Sequence, residues 1–271
     1  MFRVMKFTIT SFSNEKVKYV SGLKEKKNRD KNKHFFLEGF RELKKGFESK
    51  KIIFHSLFVS QECFLGVNED SLIDEIEKSG TPIFELPRKI FEKISYRDRP
   101  DGLIAIGNIP DFSFLGTKKI PGDFFAIIEG VEKPGNLGTI LRTAEGAGVD
   151  AIFVVDSKLD IFNPNVIRAS TGTIFTLPVY QTTLTTLLQY FKTNSIRTLA
   201  VTPEVPIYYF QEDLKVPIAF IFGSEQYGLS EISKLNADKK ISIPMRGSAD
   251  SLNLAMSAGI LFYETIRQRM I

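Results

Sequence analysis

The sequence predicts an α/β protein in which short apolar strands alternate with helices. From residue 123 onward, apolar runs of four to seven residues recur without polar alternation. Such runs are typical of parallel strands that helices cover on both faces. Segments with a helical period lie between the runs. At 271 residues, 43% hydrophobic and 25% charged, the chain is long enough for one or two globular domains with sizeable cores.

The first part of the chain, residues 1–108, is predicted to form a smaller α/β domain. A basic helix followed by a charged loop is expected over residues 14–33, because Val17, Val20 and Leu23 share one helical face. Residues 109–122 hold two prolines and two glycines without a clear period, which indicates a linker. The remaining predicted elements are strands at 35–37, 51–60, 81–87 and 102–110 and helices starting near Gly39, at 69–80 and at 87–95.

The second part, residues 123–271, is predicted to form the larger domain, with the parallel sheet. Asn136 and Ser230 are expected N-caps, and Pro164 stands at the first position of a short helix. The predicted strands are 124–130, 151–156, 178–181, 197–203, 217–223 and 239–244, and the helices are 136–148, 163–172, 182–193, 229–236 and 251–269.

Charge is concentrated near the N-terminus. Residues 14–51 contain 13 Lys/Arg and 6 Asp/Glu, whereas the whole chain has a net charge of only +4. A basic segment fits a polyanionic partner such as nucleic acid. It also fits a solvated helix face with charge pairs three or four residues apart. Charge alone leaves both interpretations open.

Several classes of function are disfavoured. The single cysteine, Cys63, excludes an internal disulfide and a cysteine-based metal cluster, and with two histidines in the chain we expect no metal site. The single cysteine indicates a reducing compartment, so we expect a cytoplasmic protein. No apolar run is long enough to cross a bilayer and no signal peptide is apparent, so we expect no membrane contact. The chain lacks GxxxxGK[ST] and a GxGxxG that opens a helix after a strand, which disfavours an ordinary nucleotide-binding loop.

Three loops in the second domain share a design. Each joins a predicted strand to a predicted helix and is rich in Gly, Pro and small polar residues, as in 129–148, 221–230 and 241–259. Loops of this kind bind ligands, because a rigid scaffold positions them and their amides are free to bond. Three of them in one domain predict a single composite pocket.

The same loops resemble motifs 1, 2 and 3 of the SpoU-type RNA ribose 2′-O-methyltransferases, in the family's order and spacing. Motif 1 is represented by Asn136 and Arg142, motif 2 by Phe222-Gly223-Ser224-Glu225, and motif 3 by Ile243-Pro244-Met245 with Ser251-Leu252-Asn253. The resemblance covers roughly residues 120–271. The run Phe35-Phe36-Leu37-Glu38-Gly39-Phe40-Arg41-Glu42-Leu43 resembles, less specifically, a feature of the ribosomal-protein-L30-like substrate-binding domain that often precedes this family's catalytic domain.

The resemblance implies a SPOUT fold with a C-terminal trefoil knot that binds S-adenosylmethionine. It implies cofactor-binding roles for Gly223, Ile243 and Leu252, with Thr202 and Met245 as further candidates. Core packing is the alternative for Ile243 and Leu252. The apolar wall that Ile243, Pro244 and Leu252 would form suits an adenine ring.

Arg142 is the implied catalytic residue. The resemblance implies that this arginine abstracts the proton or activates the substrate. A free guanidinium is a poor base, so we favour an electrostatic role in which it holds an RNA phosphate and stabilises the developing 2′-alkoxide; removal of the proton by the same residue is the alternative. Asn136, Glu225, Ser251 and Asn253 would orient Arg142, the hydroxyl and the loops, and Glu225 could pair with Arg142. Helix capping is a compatible role for Asn136 and Ser251.

RNA is the implied substrate, with ribosomal RNA favoured over tRNA. A non-catalytic RNA-binding or ribosome-assembly protein on the same fold is the alternative function. The apolar residues spread around the last helix, and family precedent, predict a homodimer through the C-terminal domain. The expected RNA-binding residues are Lys24, Lys26, Lys27, Arg29, Lys31, Lys33 and Arg168.

Overall fold

The computed structural model describes residues 6–116 and 119–271. The chain divides into two compact units, one up to Asp111 together with Asp160–Thr176, the other Phe112–Leu159 together with Leu177–Ile271. Both units mix helices with a sheet, so the predicted α/β class is confirmed. Residues 160–176 belong to the first unit, although their position in the sequence lies inside the predicted second domain. Thr117 and Lys118 of the predicted linker lie outside the described residues.

The first unit is built on a mixed sheet with strand order β1-β4-β3-β5-β2 in its described part. β4 pairs in parallel with β1 and β3, whereas β5 runs antiparallel to β3 and β2. Its elements are β1 (Lys6–Thr8), α1 (Glu15–Gly22), α2 (Lys26–Asn32), β2 (His34–Glu38), α3 (Phe40–Glu48), β3 (Phe54–Val59), α4 (Glu69–Lys78), β4 (Ile83–Glu85), α5 (Arg88–Ile94), β5 (Leu103–Asn108) and, much later in the sequence, α7 (Pro164–Ala169).

Two elements of the first unit were not expected: the strand β1, and the helix α2, which forms over residues 26–32 in the part of 14–33 where a charged loop was predicted. The helix is held by Arg29, which is only 2% exposed in spite of its charge. It ends at Lys33, whose φ of 56° is a left-handed C-cap. A charge count cannot anticipate an arginine that points inward.

The second unit is built on a sheet with strand order β11-β9-β10-β6-β7-β8 in its described part, and every pair of neighbours is parallel. Its elements are β6 (Phe124–Glu129), α6 (Pro134–Gly146), β7 (Ala151–Val155), β8 (Val179–Thr182), α8 (Leu184–Thr193), β9 (Arg197–Val201), β10 (Ile218–Phe222), α9 (Glu231–Asn236), β11 (Lys239–Ile241) and α10 (Leu254–Arg269).

Apolar strands form the core of the second unit, as predicted. Phe125 and Phe153 on neighbouring strands pack against Phe191 of α8, with ring centroids 5.5–5.6 Å apart in those contacts. Residues of the predicted linker join this core: Phe114 and Ile120 are each 5% exposed. The Phe114 amide donates to the carbonyl of Gln181, which draws the segment alongside β8.

The strand order places the site. The chain runs from β6 outward to β7 and β8, then returns to the other side of β6 with β9, β10 and β11. In parallel sheets, ligands bind beyond the carboxyl ends of the strands, near the point where the order reverses. The loops after β9, β10 and β11 leave the sheet there. The trefoil knot stays a prediction from the family resemblance.

Two helix starts beside the candidate site differ from the prediction. α6 begins at Pro134, so Asn136 lies inside the first turn and is not the N-cap. Pro134 suits the first helical position because its missing N–H would have no partner there. α10 begins at Leu254 because Asn253 caps it: the Asn253 side chain accepts from the amides of Ala255 and Met256. Asn163 and Ser230 cap α7 and α9 in the same way, the latter as predicted.

Candidate active site

A cavity of about 270 Å³ lies beyond the carboxyl ends of β9 and β10. Val201 and Phe222, the last residues of those strands, are part of its wall, and the loop after β11 closes it. Of the residues predicted for the site, the cavity brings together Thr202, Gly223, Glu225, Ile243, Met245, Ser251 and Leu252. Motifs 2 and 3 and the end of β9 therefore share one pocket, whereas the loop of motif 1, the third part of the predicted composite pocket, does not contribute to the lining of this cavity.

The lining suits a nucleoside. Ile243 and Met245 are partly buried and Leu252 is 38% exposed, so Leu252 faces the cavity instead of filling a core. Thr202, which is 4% exposed, and Ser251 add hydroxyl groups. Ligand pockets are mostly apolar with a few polar groups and measure about 300–1,000 Å³. The cavity is close to that range and fits the adenosine part of S-adenosylmethionine.

Gly223 serves the loop itself. A Cβ at this position would lie 2.1 Å from the carbonyl carbon of Gly228 and 2.2 Å from the amide nitrogen of Leu229. The reason for this glycine is therefore the close approach of two segments of backbone. Gly223 also lines the cavity, and its role in cofactor binding stays a prediction.

Glu225 of motif 2 ties the three motifs together. Its carboxylate accepts hydrogen bonds from the amides of Glu132 and Lys133, at 2.9 and 3.1 Å. It also accepts from Asn136 Nδ2 at 2.7 Å, and Asn136 Oδ1 in turn accepts from Asn253 Nδ2 at 3.0 Å. Residues far apart in sequence thus form one hydrogen-bonded chain beside the cavity.

This network sets the charge of Glu225. Burial acts to raise the pKa of the Glu225 carboxyl, but the hydrogen bonds from Glu132, Asn136 and Lys133 outweigh it and leave the pKa below its ordinary value. Glu225 is therefore an anion at neutral pH. The predicted pairing of Glu225 with Arg142 is not found; the amides at the start of α6 take its place.

Arg142 lies on the exposed face of α6. Within the described residues it does not line the cavity, and its side chain has no hydrogen bond or ion pair. The face that carries it adjoins α10: a Cβ on Gly259 would lie 3.6 Å from Thr143 Cγ2, and one on Gly146 would lie 3.5 Å from Tyr263 Oη. Arg142 is thus a free cation on the helix whose first turn joins the Glu225 network.

Two features of the site were not predicted from the sequence: Tyr227 in the lining of the cavity, and Asn253 as the N-cap of α10. Tyr227 lines the cavity and is 78% exposed, and only its place after motif 2 could have drawn attention to it. Ser251, in contrast, was expected to cap a helix. It is exposed, and the cap is Asn253, two residues later.

The predicted RNA-binding residues fall into two groups. Arg29 is buried: its guanidinium donates to Asp160 Oδ2 at 2.6 and 2.8 Å and to the Leu23 carbonyl at 2.6 Å. Lys24 donates to the carbonyls of Lys93 and Ser95. Both side chains are used inside the first unit, which corrects their expected role. The others of the set are exposed, namely Lys26, Lys27, Lys31, Lys33 and Arg168.

The structure adds two negative findings, each limited to what it describes. Over residues 6–116 and 119–271, no group of three or more His, Cys, Asp or Glu side chains could hold a metal ion. Across the same ranges, no helix combines the length and apolarity needed to span a membrane.

Comparison with known proteins gives a consistent result. The sequence profile of the SpoU rRNA Methylase family matches residues 123–263, and that of an MRM3-like substrate binding domain matches residues 14–105. The 23S rRNA (guanosine(2553)-2'-O)-methyltransferase RlmP of Bacillus subtilis is 28% identical over 94% of this chain and 97% of its own length. The 23S rRNA (guanosine-2'-O-)-methyltransferase RlmB of Shewanella oneidensis is 30% identical over 73% of this chain and 83% of its own.

Solved structures agree. A crystal structure of an RNA 2'-O ribose methyltransferase has a TM-score of 0.85 and 33% identity, covering 98% of this chain and all (100%) of that one. The AdoMet-bound rRNA methyltransferase from Sinorhizobium meliloti has a TM-score of 0.86 and 27% identity, covering 97% of this chain and 98% of its own.

Proposed function

The chain belongs to the SpoU rRNA Methylase family, and on that premise we propose how its residues divide the reaction. Membership confirms the predicted enzyme class, an RNA ribose 2′-O-methyltransferase that uses S-adenosylmethionine, and the predicted substrate-binding domain before it. The roles of single residues, the oligomeric state and the RNA target are our proposals.

The cavity beyond β9 and β10 is the proposed cofactor site. S-adenosylmethionine, when bound, supplies an electrophilic methyl group on a sulfonium. Ile243, Met245 and Leu252 would provide apolar surface for the adenine, and Thr202 and Ser251 would provide polar contacts. The exposure of Leu252, 38%, supports this assignment, because a leucine that only packs in the core would be buried.

Arg142 is the proposed catalytic residue, with an electrostatic role. Its exposure and lack of a partner leave the guanidinium available to an RNA phosphate and to the 2′-oxygen as negative charge develops. Asn136, Glu225 and Asn253 act on it indirectly, because their hydrogen bonds fix the start of the helix that carries it. The Glu225–Asn136–Asn253 chain is the single observation that carries this proposal.

A homodimer through α6 and α10 is proposed from an uncovered apolar stripe. Met256 and Tyr263, seven residues apart on α10, are 60% and 55% exposed, and Met270 continues the same face with 82%. The stripe lies beside the face of α6 that carries Arg142. Light scattering should give a dimer at micromolar concentration, and Tyr263→Lys should shift it towards monomer. A monomeric wild type would contradict the proposal.

Ribosomal RNA is the proposed substrate. The names of the Bacillus and Shewanella relatives, both 23S rRNA methyltransferases, support it. A ribosomal RNA substrate also supports the predicted cytoplasmic location.

Two measurements test the function. Calorimetric titration with S-adenosylmethionine should show binding, and its absence would favour a non-catalytic RNA-binding protein. Mapping 2′-O-methylation in total RNA from cells with and without the gene should reveal a ribosomal site that is lost with the gene. Loss of a tRNA methylation alone would transfer the substrate assignment to tRNA.

A further inference from the structure

The segment between β6 and α6, residues 130–133, has no regular secondary structure. Its position therefore depends on hydrogen bonds from other parts of the chain. The Gly130 amide donates to the carbonyl of Val155, the last residue of β7, at 2.9 Å. This bond continues the parallel pairing of β6 and β7, in which Glu129 is opposite Val155. The peptide groups after Gly130 are held by side chains.

Ser157 holds the first of these peptide groups. Its hydroxyl donates to the carbonyl of Val131 at 2.7 Å and accepts from the amide of Leu159 at 3.0 Å. A hydroxyl that accepts one hydrogen bond is polarised and donates more strongly. The bond to Leu159 is a local turn that serine commonly makes. The bond to Val131 joins residues 26 positions apart, so a local turn does not account for it.

The peptide group between Val131 and Glu132 is held at both ends. Its carbonyl accepts from the Ser157 hydroxyl, and its N–H donates to Glu225 Oε2 at 2.9 Å. The carbonyl and the N–H of a trans peptide lie in one plane and point in opposite directions. Ser157 and Glu225 therefore bind opposite edges of one peptide plane.

The orientation of this plane decides what Glu225 meets. If the plane turned over, the Val131 carbonyl would face the Glu225 carboxylate, and two acceptors would then oppose each other. The side chain of Val131 is 1% exposed, so packing holds its Cα in place. Packing does not set the plane itself, because the dihedrals on either side of a peptide bond are soft. The Ser157 hydroxyl supplies the missing restraint.

Glu225 connects this restraint to the cavity. Its carboxylate lines the cavity and also accepts from the amide of Lys133 and from Asn136 Nδ2. A peptide plane that turned away would remove one of these donors from a partly buried anion, which is unfavourable. Ser157 belongs to none of the three motifs, and the structure alone brings it into this chain of contacts.

We propose that Ser157 is a positioning residue of the active site. Its hydroxyl holds the Val131–Glu132 peptide in the orientation that lets Glu132 donate to Glu225, and Glu225 in turn keeps the cavity wall in the form that binds the cofactor. The inference rests on the proposed function in that the cavity is the cofactor site.

Hydrogen exchange of single amides, followed by NMR on the full chain without cofactor, tests the restraint directly. Ser157→Ala should accelerate exchange of the Glu132 amide at least about fivefold, the factor that one ordinary hydrogen bond provides. The Gly130 amide is the internal reference, because it donates to Val155 without the help of Ser157. Unchanged exchange at Glu132, or equal acceleration at Gly130, would overturn the proposal.

Two matched variants isolate the hydroxyl. Ser157→Thr keeps a hydroxyl and should exchange like the wild type at Glu132. Thr182→Val removes another hydroxyl of the same unit, one that donates to the Phe114 carbonyl, also at 2.7 Å, at the end of β8 and three strands from β10. This control should leave exchange at Glu132 and cofactor affinity unchanged. The proposal fails if Ser157→Thr behaves like Ser157→Ala, or if Thr182→Val has the same effect.

A double-mutant cycle tests whether Ser157 acts through Glu225. Calorimetry should show that Ser157→Ala weakens S-adenosylmethionine binding about threefold or more. In the Glu225→Gln background the same change should weaken it by less than about twofold, the usual error of additivity. Losses that simply multiply would show that Ser157 acts independently of Glu225, and would overturn the proposal.

The two kinds of measurement also separate this inference from the proposed function. Exchange of the Glu132 amide needs no cofactor, so it reports the restraint alone. A wild type that binds no S-adenosylmethionine, but whose Glu132 amide responds to Ser157→Ala as expected, would overturn the proposed function and leave the contact between Ser157 and Glu225 supported. Normal cofactor binding with no response at Glu132 would overturn the role of Ser157 and leave the function in place.

Discussion

The sequence predicts functional residues in two regions, the motif loops of the second unit and the basic segment at residues 14–33 of the first. The structure brings the first set together, whereas part of the second set is buried. In the motif loops, residues from separate parts of the sequence meet in one cavity and one hydrogen-bonded chain. In the basic segment, Lys24 and Arg29 turn inward. A motif predicts where its residues lie in the fold, because each motif residue stands at the end of a strand or the start of a helix. A count of charges predicts only composition.

The largest expected effect is at Arg29, and it would sharpen this contrast. Arg29→Ala should lower the free energy of unfolding by about 3–5 kcal/mol, because it leaves Asp160 as a largely buried charge without its partner. Its side chain is 2% exposed and that of Asp160 is 13% exposed. Urea denaturation of each variant measures the effect.

Arg88→Ala is the control for Arg29, since Arg88 pairs with Glu92 while both are about half exposed, 57% and 46%. Such surface pairs contribute about 0–1 kcal/mol. Equal losses in the two variants would show that burial of Arg29 has no energetic consequence.

Arg142→Ala should come next, with its effect on rate. Loss of one charge-assisted contact in the transition state costs about 2.7–4 kcal/mol, or 10²–10³ in rate. Stability and cofactor affinity should stay unchanged, because the side chain is exposed and unpaired. Single-turnover methylation of the native RNA is the measurement. Arg142→Lys should fail nearly as severely, since a point charge does not replace a planar fork.

The control for Arg142 is Lys192→Ala, another exposed cation on a helix of the same unit, which should keep the full rate. If Arg142→Ala retains more than about a third of the wild-type rate, a loss under ~1 kcal/mol, Arg142 is not catalytic. The resemblance to motif 1 would then give a wrong role to Arg142, the residue for which it makes its most specific prediction.

Glu225→Gln should have a smaller effect, on stability and on the cofactor together. The amide cannot accept from the amides of Glu132 and Lys133 as the carboxylate does, and leaving such donors unpaired costs about 1–3 kcal/mol. Cofactor affinity should fall as well, because Glu225 also lines the cavity. The matched change Glu231→Gln, in a surface pair with Lys234, should alter neither quantity much. Calorimetry measures the cofactor affinity and urea denaturation measures the free energy of unfolding. An unchanged cofactor affinity would show that the hydrogen bonds of Glu225 do not contribute to the cavity.

The smallest effect is in the pH dependence of that same carboxylate. Because the pKa of Glu225 is lower in the folded state than its ordinary value of 4.5, its contribution to stability is complete above that value. It declines as the pH falls through the folded-state pKa. The difference in stability between wild type and Glu225→Gln should therefore be constant at neutral pH and shrink in acid. A difference that grows in acid would reverse the assigned sign.

Most of the fold was predictable from sequence because its strands are apolar runs of the expected length and its helices carry recognisable caps. Ser230 and Pro164 occupy the predicted positions at the starts of α9 and α7. The start of α6 was not predictable from local preference, because its partner is Glu225, a residue about 90 positions away in sequence. The inward turn of Arg29 depends likewise on Asp160, at a separation of 131 residues.

The site was predictable in membership and less so in role. The cavity contains all the residues predicted for the cofactor, and at Gly223 the close backbone of Gly228 gives a structural reason for glycine that the motif does not reveal. Asn136 and Ser251 were each expected at helix caps, and neither is one. A motif specifies which residues are present, whereas hydrogen-bond partners depend on loops that only the folded chain brings together.

The long reach of Glu225 has a consequence for the order in which the chain acquires its structure. The amides of Lys133 and Glu132 donate to Glu225, which lies 92 and 93 residues later in the sequence. Asn136 accepts from Asn253, 117 residues later. Contacts at such separations form late, since closing a long loop costs entropy before any contact repays it. The backbone of the first turn of α6 is bonded locally, but the side-chain hydrogen bonds of Asn136 require both Glu225 and Asn253 to be in place. A chain that stops short of residue 253 would contain every described strand of the second sheet but would lack the hydrogen bond from Asn253 to Asn136.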